Sequence, residues 1–135
     1  MAVFFHNNRS TTYQMDLGPF AADLVLLQGS SFTPEYWKPV MTELGAMPPA
    51  GGRIVTCDWA GESGRPTEEQ AEDLVRLIQT LGLHTIHIVA TDDAAEVVGE
   101  AAKKHLNLFN KTLLIPVNVP KGEELARAVR DFCPL

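Results

Sequence analysis

The sequence predicts an α/β domain in which a mostly parallel sheet lies between two layers of helices, a three-layer sandwich formed by one chain of 135 residues. Two observations carry that prediction. Four short, continuous apolar runs, at residues 23–27, 53–57, 85–90 and 113–119, suit strands buried on both faces. The segments between them carry helix start and stop signals, and strands separated by helices pair in parallel through right-handed crossovers.

The elements follow in order. Ala2 to Phe5 and Thr11 to Leu17 are β-prone and flank the polar cluster His6-Asn7-Asn8-Arg9, so they predict two antiparallel strands at the sheet's N-terminal edge. Asp23 to Leu27 is the first buried strand, ending in Gln28-Gly29-Ser30-Ser31. Thr33-Pro34 supplies an N-cap with proline at the first helical position, and Gly45 closes that helix; Pro39 within it requires a bend. Arg53 to Cys57 is the next strand and runs into the loop 58–66. Thr67-Glu68-Glu69-Gln70 has capping-box spacing, and Ala71, Leu74, Val75, Ile78 and Leu81 recur on one helical face before Gly82. Thr85 to Ala90 is a third buried strand. Asp93 to Leu106 is a helix with a second candidate box, Asp93 with Glu96. Leu113 to Val119 predicts the fourth parallel strand, and Glu123 to Phe132 a final helix with Leu125, Ala128, Val129 and Phe132 facing inward.

Composition narrows the function. With 45% apolar and 21% charged residues the chain is an ordinary globular one, able to bury a core without staples. Its net charge is −6 and its eleven basic residues are scattered, which argues against nucleic acid as a partner. Cys57 and Cys133 show no framework spacing and read as reduced thiols of a cytoplasmic protein. No apolar run approaches the roughly 18 residues of a membrane span, so no membrane association is expected. Ligands of such sheets collect at the carboxyl ends of the strands. The loops to watch are therefore Gln28 to Phe32, Asp58 to Arg65 and Thr91 to Ala94.

Those loops carry a resemblance. LVLLQGSS…YWKPVMTELG is similar to the strand, oxyanion loop and first helix of α/β-hydrolases, where His-Gly follows the strand and Trp-x-Pro-Val sits in the helix; here Gln28 stands for the His. IVTCDWAGESGRP resembles the family's next loop block, with Asp58 and Gly61 in place. EDLVRLIQTLGL followed by HTIHIVATDDAA is similar to the stretch leading into the nucleophile elbow, written small-x-nucleophile-x-small. On that reading Ala90 and Ala94 are the small flanks and Asp92 takes the nucleophile position. The resemblance covers roughly residues 10 to 106 and implies a minimal α/β-hydrolase-like core without lid or final strands.

The same resemblance marks what is missing. The family takes its general base from a histidine late in the chain, and of the four histidines only His105 follows the elbow, roughly three helical turns from Asp92. His87 falls within a strand where the family often carries a structural histidine. The last helix arrives directly after the fourth parallel strand. A strand that is interior in full-length relatives then becomes an edge, blunted by Pro116 and Pro120, and the resemblance implies a homodimer through that edge or the terminal helix.

Each candidate has two readings. Asp92 is a nucleophile or base, or else Asp92 and Asp93 are short carboxylates that satisfy free amides at a helix N-terminus. The amides of Ser30 and Asp93 are the oxyanion donors the family implies; otherwise Ser30 is a polar loop tip. Gln28, Gly29, Ser31 and Trp59 would line the binding site beside them, while Trp59 and Trp37 read equally as packing residues. Adjacent aspartates point in different directions and have no His or Cys at ligand spacing, so neither metal nor cofactor is expected. The expectation is an atypical enzyme acting on a small, largely apolar molecule by hydrolysis, isomerisation, dehydration or cyclisation. The alternative is a non-catalytic domain for ligand binding or self-association.

Overall fold

The computed structural model describes residues 2–6, 9–28, 34–58, 66–83, 85–91, 94–105, 109–115, 127–129 and 131. Six strands form one sheet in the order β1-β2-β4-β3-β5-β6: β1 Ala2–His6, β2 Arg9–Leu17, β3 Asp23–Leu27, β4 Arg53–Asp58, β5 Ile86–Thr91 and β6 Phe109–Ile115. β2 pairs antiparallel with both β1 and β4, whereas β4, β3, β5 and β6 run parallel. A short 3-10 turn, Pro34–Trp37, leads into α1, Lys38–Gly45; α2 spans Thr67–Leu81 and α3 spans Ala94–Lys104.

Side-chain alternation along the central strands makes the three layers. Val25 and Leu27 of β3, Val55 and Cys57 of β4, and Ile86, Ile88 and Ala90 of β5 pack with Leu74, Leu77 and Ile78 of α2 and Val97, Val98 and Ala101 of α3. The intervening residues, Leu24, Leu26, Ile54 and Val89, face the other way and meet Trp37, Val40 and Leu44, joined by Val129. A strand buried on both faces cannot show an apolar-polar alternation, which is why these segments read as continuous apolar runs.

Local signals explain the element ends. Gly82 adopts φ 64° and ψ 38°, and its N–H and that of Leu83 return to the carbonyls of Gln79 and Ile78, 3.2 Å each, closing α2 in a Schellman-type turn. Gly52 sits where a Cβ would run into the carbonyls of Phe20 and Ala22, and its N–H donates to Phe20 O at 2.8 Å. At the amino ends of the strands, the buried Asp23 carboxylate accepts from the Arg53 backbone N–H at 2.9 Å and from its guanidinium at 3.4 Å. The same guanidinium donates to the carbonyls of Leu81 (3.3 Å) and Gly82 (3.1 Å), tying the end of α2 to β3 and β4.

Several expectations change. The strands of the first hairpin reach further into the turn than hydropathy indicates, with His6 opposite Arg9, because ladder bonds use backbone whatever the side chains. Thr67 is the first residue of α2 rather than its cap: Pro66 is the N-cap, at φ −56° and ψ 140°, and no side chain caps the helix. The proline's fixed φ already turns the chain into the helix. Pro39 needs no kink, since the first turn is 3-10 and α1 starts at Lys38, which leaves Pro39 in the first α-helical turn, where an N–H has no intrahelical acceptor. The fourth parallel strand, Phe109–Ile115, begins four residues before the expected start at Leu113, and residues 116–119 lie outside the described residues. After Phe109 it runs through the polar stretch Asn110-Lys111-Thr112, with a register irregularity between Ile86 and His87 that leaves Asn110 without a ladder partner on β5. Residues 127–129 are helical as expected, but Ala128 is exposed and only Val129 of that pair is buried. Thr33, Asp93, Pro116, Pro120 and Cys133 lie outside the described residues.

Candidate functional site

The carboxyl ends of β3, β4 and β5 converge, as parallel strands joined by crossovers require, and each strand leads into one of the three loops singled out above. Of the predicted site residues, Gln28 is described; Gly29, Ser30, Ser31, Trp59, Asp92 and Asp93 lie outside the described residues. What the structure defines is the frame from which those loops spring.

Gln28 directly follows β3 and is 2% exposed. Its Nε2 donates to the carbonyl oxygen of Cys57 in β4 at 2.8 Å, and its Oε1 accepts from Trp37 Nε1 at 3.1 Å. The indole can only donate and the carbonyl can only accept, so a group offering both capacities is needed between them, and a primary amide does so without charge. Trp37 is fully buried beneath it. The reading of Trp37 as a packing residue holds, with a polar task added.

The Tyr36 ring stands edge-on to Trp37, centroids 5.0 Å apart at 90°. Its hydroxyl is hydrogen-bonded to the side chain of Thr91, the last residue of β5. Burial pushes the Tyr36 phenol above its ordinary value of about 10, and the bond to Thr91 acts in the opposite direction. Thr91 itself is 1% exposed. Tyr36 and the role of Thr91 escaped the sequence reading. The available signal was parity: Thr91 shares its strand face with Val89 and His87, so it points toward the layer that holds Trp37.

The strand-to-helix corner is short. β5 ends at Thr91 and α3 begins at Ala94, so two residues connect them, and the flanks Ala90 and Ala94 are 0% and 8% exposed. Both flanks pack in the core shared with α2. The two histidines with described side chains stand away from this corner. His87 is buried in the second position of β5, four residues before its end, and His105 is exposed just beyond α3, with its N–H on Ala101 O at 3.0 Å. Among the described residues no group of three or more His, Cys, Asp or Glu side chains is placed to hold a metal ion. No helix among them is long and apolar enough to cross a membrane.

No family model matches the sequence, and no curated protein matches it. Solved structures do. AqDC, described with recognition and ring-cleavage of the Pseudomonas quinolone signal, superimposes with a TM-score of 0.72 at 16% identity over 96% of this chain and 51% of its own. An α/β hydrolase fold protein from Burkholderia ambifaria gives 0.71 at 18% identity, over 96% of this chain and 49% of its own. An N-formylmaleamic acid deformylase from Pseudomonas putida gives 0.67 at 21% identity, over 85% and 46%. The chain has the α/β-hydrolase fold, in a minimal form. It spans about half the length of the solved structures it matches.

Proposed function

We propose that the chain is an atypical α/β-hydrolase-fold enzyme acting on a small, largely apolar molecule, with Asp92 as nucleophile or base. The observation that carries this reading is the two-residue corner between β5 and α3 with its buried alanine flanks. Such a corner exposes one side chain at the top of the sheet, the geometry a nucleophile elbow requires. The amides of Ser30 and Asp93 are the proposed oxyanion donors, and Gln28, Gly29, Ser31 and Trp59 the proposed surroundings of the ligand. The fold neighbours lend support, since a ring-cleaving protein and a deformylase both act on small molecules. No metal or cofactor is part of the proposal.

As a nucleophile, the Asp92 carboxylate attacks an electrophilic carbon and the leaving group departs with the bonding pair; water then adds to the resulting ester carbonyl and frees the carboxylate. That second step requires a base. As a base, Asp92 takes a proton from carbon or oxygen and returns it elsewhere on the same molecule, which isomerises, dehydrates or closes a ring without a second catalytic group. The positions of His87 and His105 favour the base over the nucleophile.

The test is a screen of small esters, lactones, epoxides and hydroxy-ketones with the wild type, Asp92→Asn and Asp92→Ala. Turnover lost in both variants with melting temperature nearly unchanged supports the reading. A drop of several degrees in Asp92→Ala with no turnover to lose supports the second reading, a non-catalytic domain for ligand binding or self-association, which the two histidine positions also favour.

The same proposal places the protein in the cytoplasm as one domain that forms a homodimer through the β6 edge or the terminal helix. β6 ends the strand order among the described residues, which supports the edge. Sedimentation at micromolar concentration showing only a 14.8 kDa species refutes the dimer.

A further inference from the structure

The polar groups at the carboxyl ends of the strands form one chain of contacts. It runs from the Cys57 carbonyl of β4 to Gln28 at the end of β3, to the Trp37 indole, across the edge-on Tyr36 ring, and through its hydroxyl to Thr91 of β5. All three proposed site loops spring from residues in this chain or next to it: 29–33 after Gln28, 59–65 soon after Cys57, and 92–93 after Thr91. Every member except Tyr36 is at most 2% exposed.

We propose that Tyr36 is a positioning residue: its bond to Thr91 holds the end of β5 against the helical turn that Gln28 anchors. Three features support this. Tyr36 and Trp37 are consecutive in a 3-10 turn, so one short rigid segment reaches two strand ends, Trp37 toward β3 and Tyr36 toward β5. β3 is paired with β5 along its whole length, ending with Leu27 opposite Ala90, so the ladder already aligns the two strands up to that point. Among the described residues no ladder pair between these two strands follows Leu27 and Ala90; Thr91 stays paired with Ile115 of β6 on its other side, and its bond to Tyr36 adds the link to the turn that Gln28 anchors. The inference rests on the proposed function only in that Asp92 is the next residue.

The test is residue-resolved hydrogen exchange on the full chain in Tyr36→Phe, Thr91→Val, Thr91→Ser and the Tyr36→Phe/Thr91→Val double variant. Losing one hydroxyl hydrogen bond corresponds to roughly a fivefold change in a local opening equilibrium. The amides of residues 26–28 and 89–91 are therefore expected to exchange about fivefold faster in Tyr36→Phe and in Thr91→Val, and no faster again in the double variant. The amides of residues 23–25 and 86–88 stay at wild-type rates, and Thr91→Ser, which keeps the hydroxyl, restores protection. Unchanged exchange in Tyr36→Phe, additive effects in the double variant, or a uniform acceleration along both strands overturns the proposal. No substrate enters this measurement, so its outcome is separate from that of the Asp92 screen.

Discussion

Gln28 bridges Trp37 and the Cys57 carbonyl, and replacing it by methionine keeps most of the volume while removing both bonds. The Trp37 N–H then faces a fully buried environment without its acceptor, a cost of about 1–3 kcal/mol, and the bond to Cys57 contributes about 1 kcal/mol more. The expected loss is about 2–4 kcal/mol. An unfolding entropy of about 2.1 cal/mol/K per residue gives roughly 0.28 kcal/mol/K for this chain length, so melting falls by roughly 7–14 °C. Urea denaturation followed by far-UV circular dichroism measures the free energy directly, with the m-value checking that the denatured state has not changed. Two further variants isolate the cause. Adding Trp37→Phe to the methionine variant removes the stranded donor, so the double variant loses less than the sum of the singles. Gln28→Glu mimics the amide only when protonated, because a carboxylate has no donor for Cys57. Its folded pKa is therefore raised above the ordinary value of about 4.3. The stabilisation is fully present below that value and is lost as pH rises through the folded pKa, so this variant weakens relative to wild type between about pH 4 and 7. A methionine variant within about 0.5 kcal/mol of wild type, or a glutamate variant with no such pH dependence, refutes the bridging role.

Arg53→Met removes the guanidinium from the buried Asp23 and from the Leu81 and Gly82 carbonyls, and should cost about 2–4 kcal/mol in urea titrations; Lys at this position recovers only part, having no planar fork. Gly52→Ala drives a methyl into the Phe20 and Ala22 carbonyls, two backbone groups that cannot swing aside, and is expected to cost about 1–3 kcal/mol by the same assay. The raised Tyr36 pKa means the fold holds the neutral phenol more tightly than the unfolded chain does. That contribution is complete below about pH 10 and is lost as pH rises through the folded value. The stability difference between wild type and Tyr36→Phe should therefore shrink or reverse above pH 10, as read from urea midpoints at stepped pH.

Much of the architecture was legible because the signals are local. The DLVLL segment at 23–27 is a strand with the expected bounds, and α2 runs from Thr67 with Gly82 in the left-handed region, because apolar spacing and a glycine stop depend on neighbours in sequence. Capping-box spacing points to Thr67 as the cap, yet Thr67 is already helical, since such spacing does not reveal which residue has helical backbone when a proline precedes it. The start of β6 was missed for a different reason. Asn110, Lys111 and Thr112 carry no hydropathy signal, and the pairing of Lys111 and Thr112 opposite His87 and Ile88 is decided by the β5 ladder.

The candidate site divides along the same line. The sequence places a strand-to-helix turn at Thr91 to Ala94; in the structure Thr91 still belongs to β5, one residue beyond the expected strand end, and Ala94 is the first residue of α3. Gln28 was noticed only as a departure from a family pattern, and its bonds to Trp37 and Cys57 span 9 and 29 residues. By itself the sequence determined the alternation of strand and helix, the parallel sheet and the position of the three loops, since periodicity, turn residues and crossover handedness act over short stretches. Only the tertiary structure decided which buried polar groups satisfy one another, because a donor and an acceptor far apart in the chain become partners only when packed strands bring them to bonding distance in a place that excludes water.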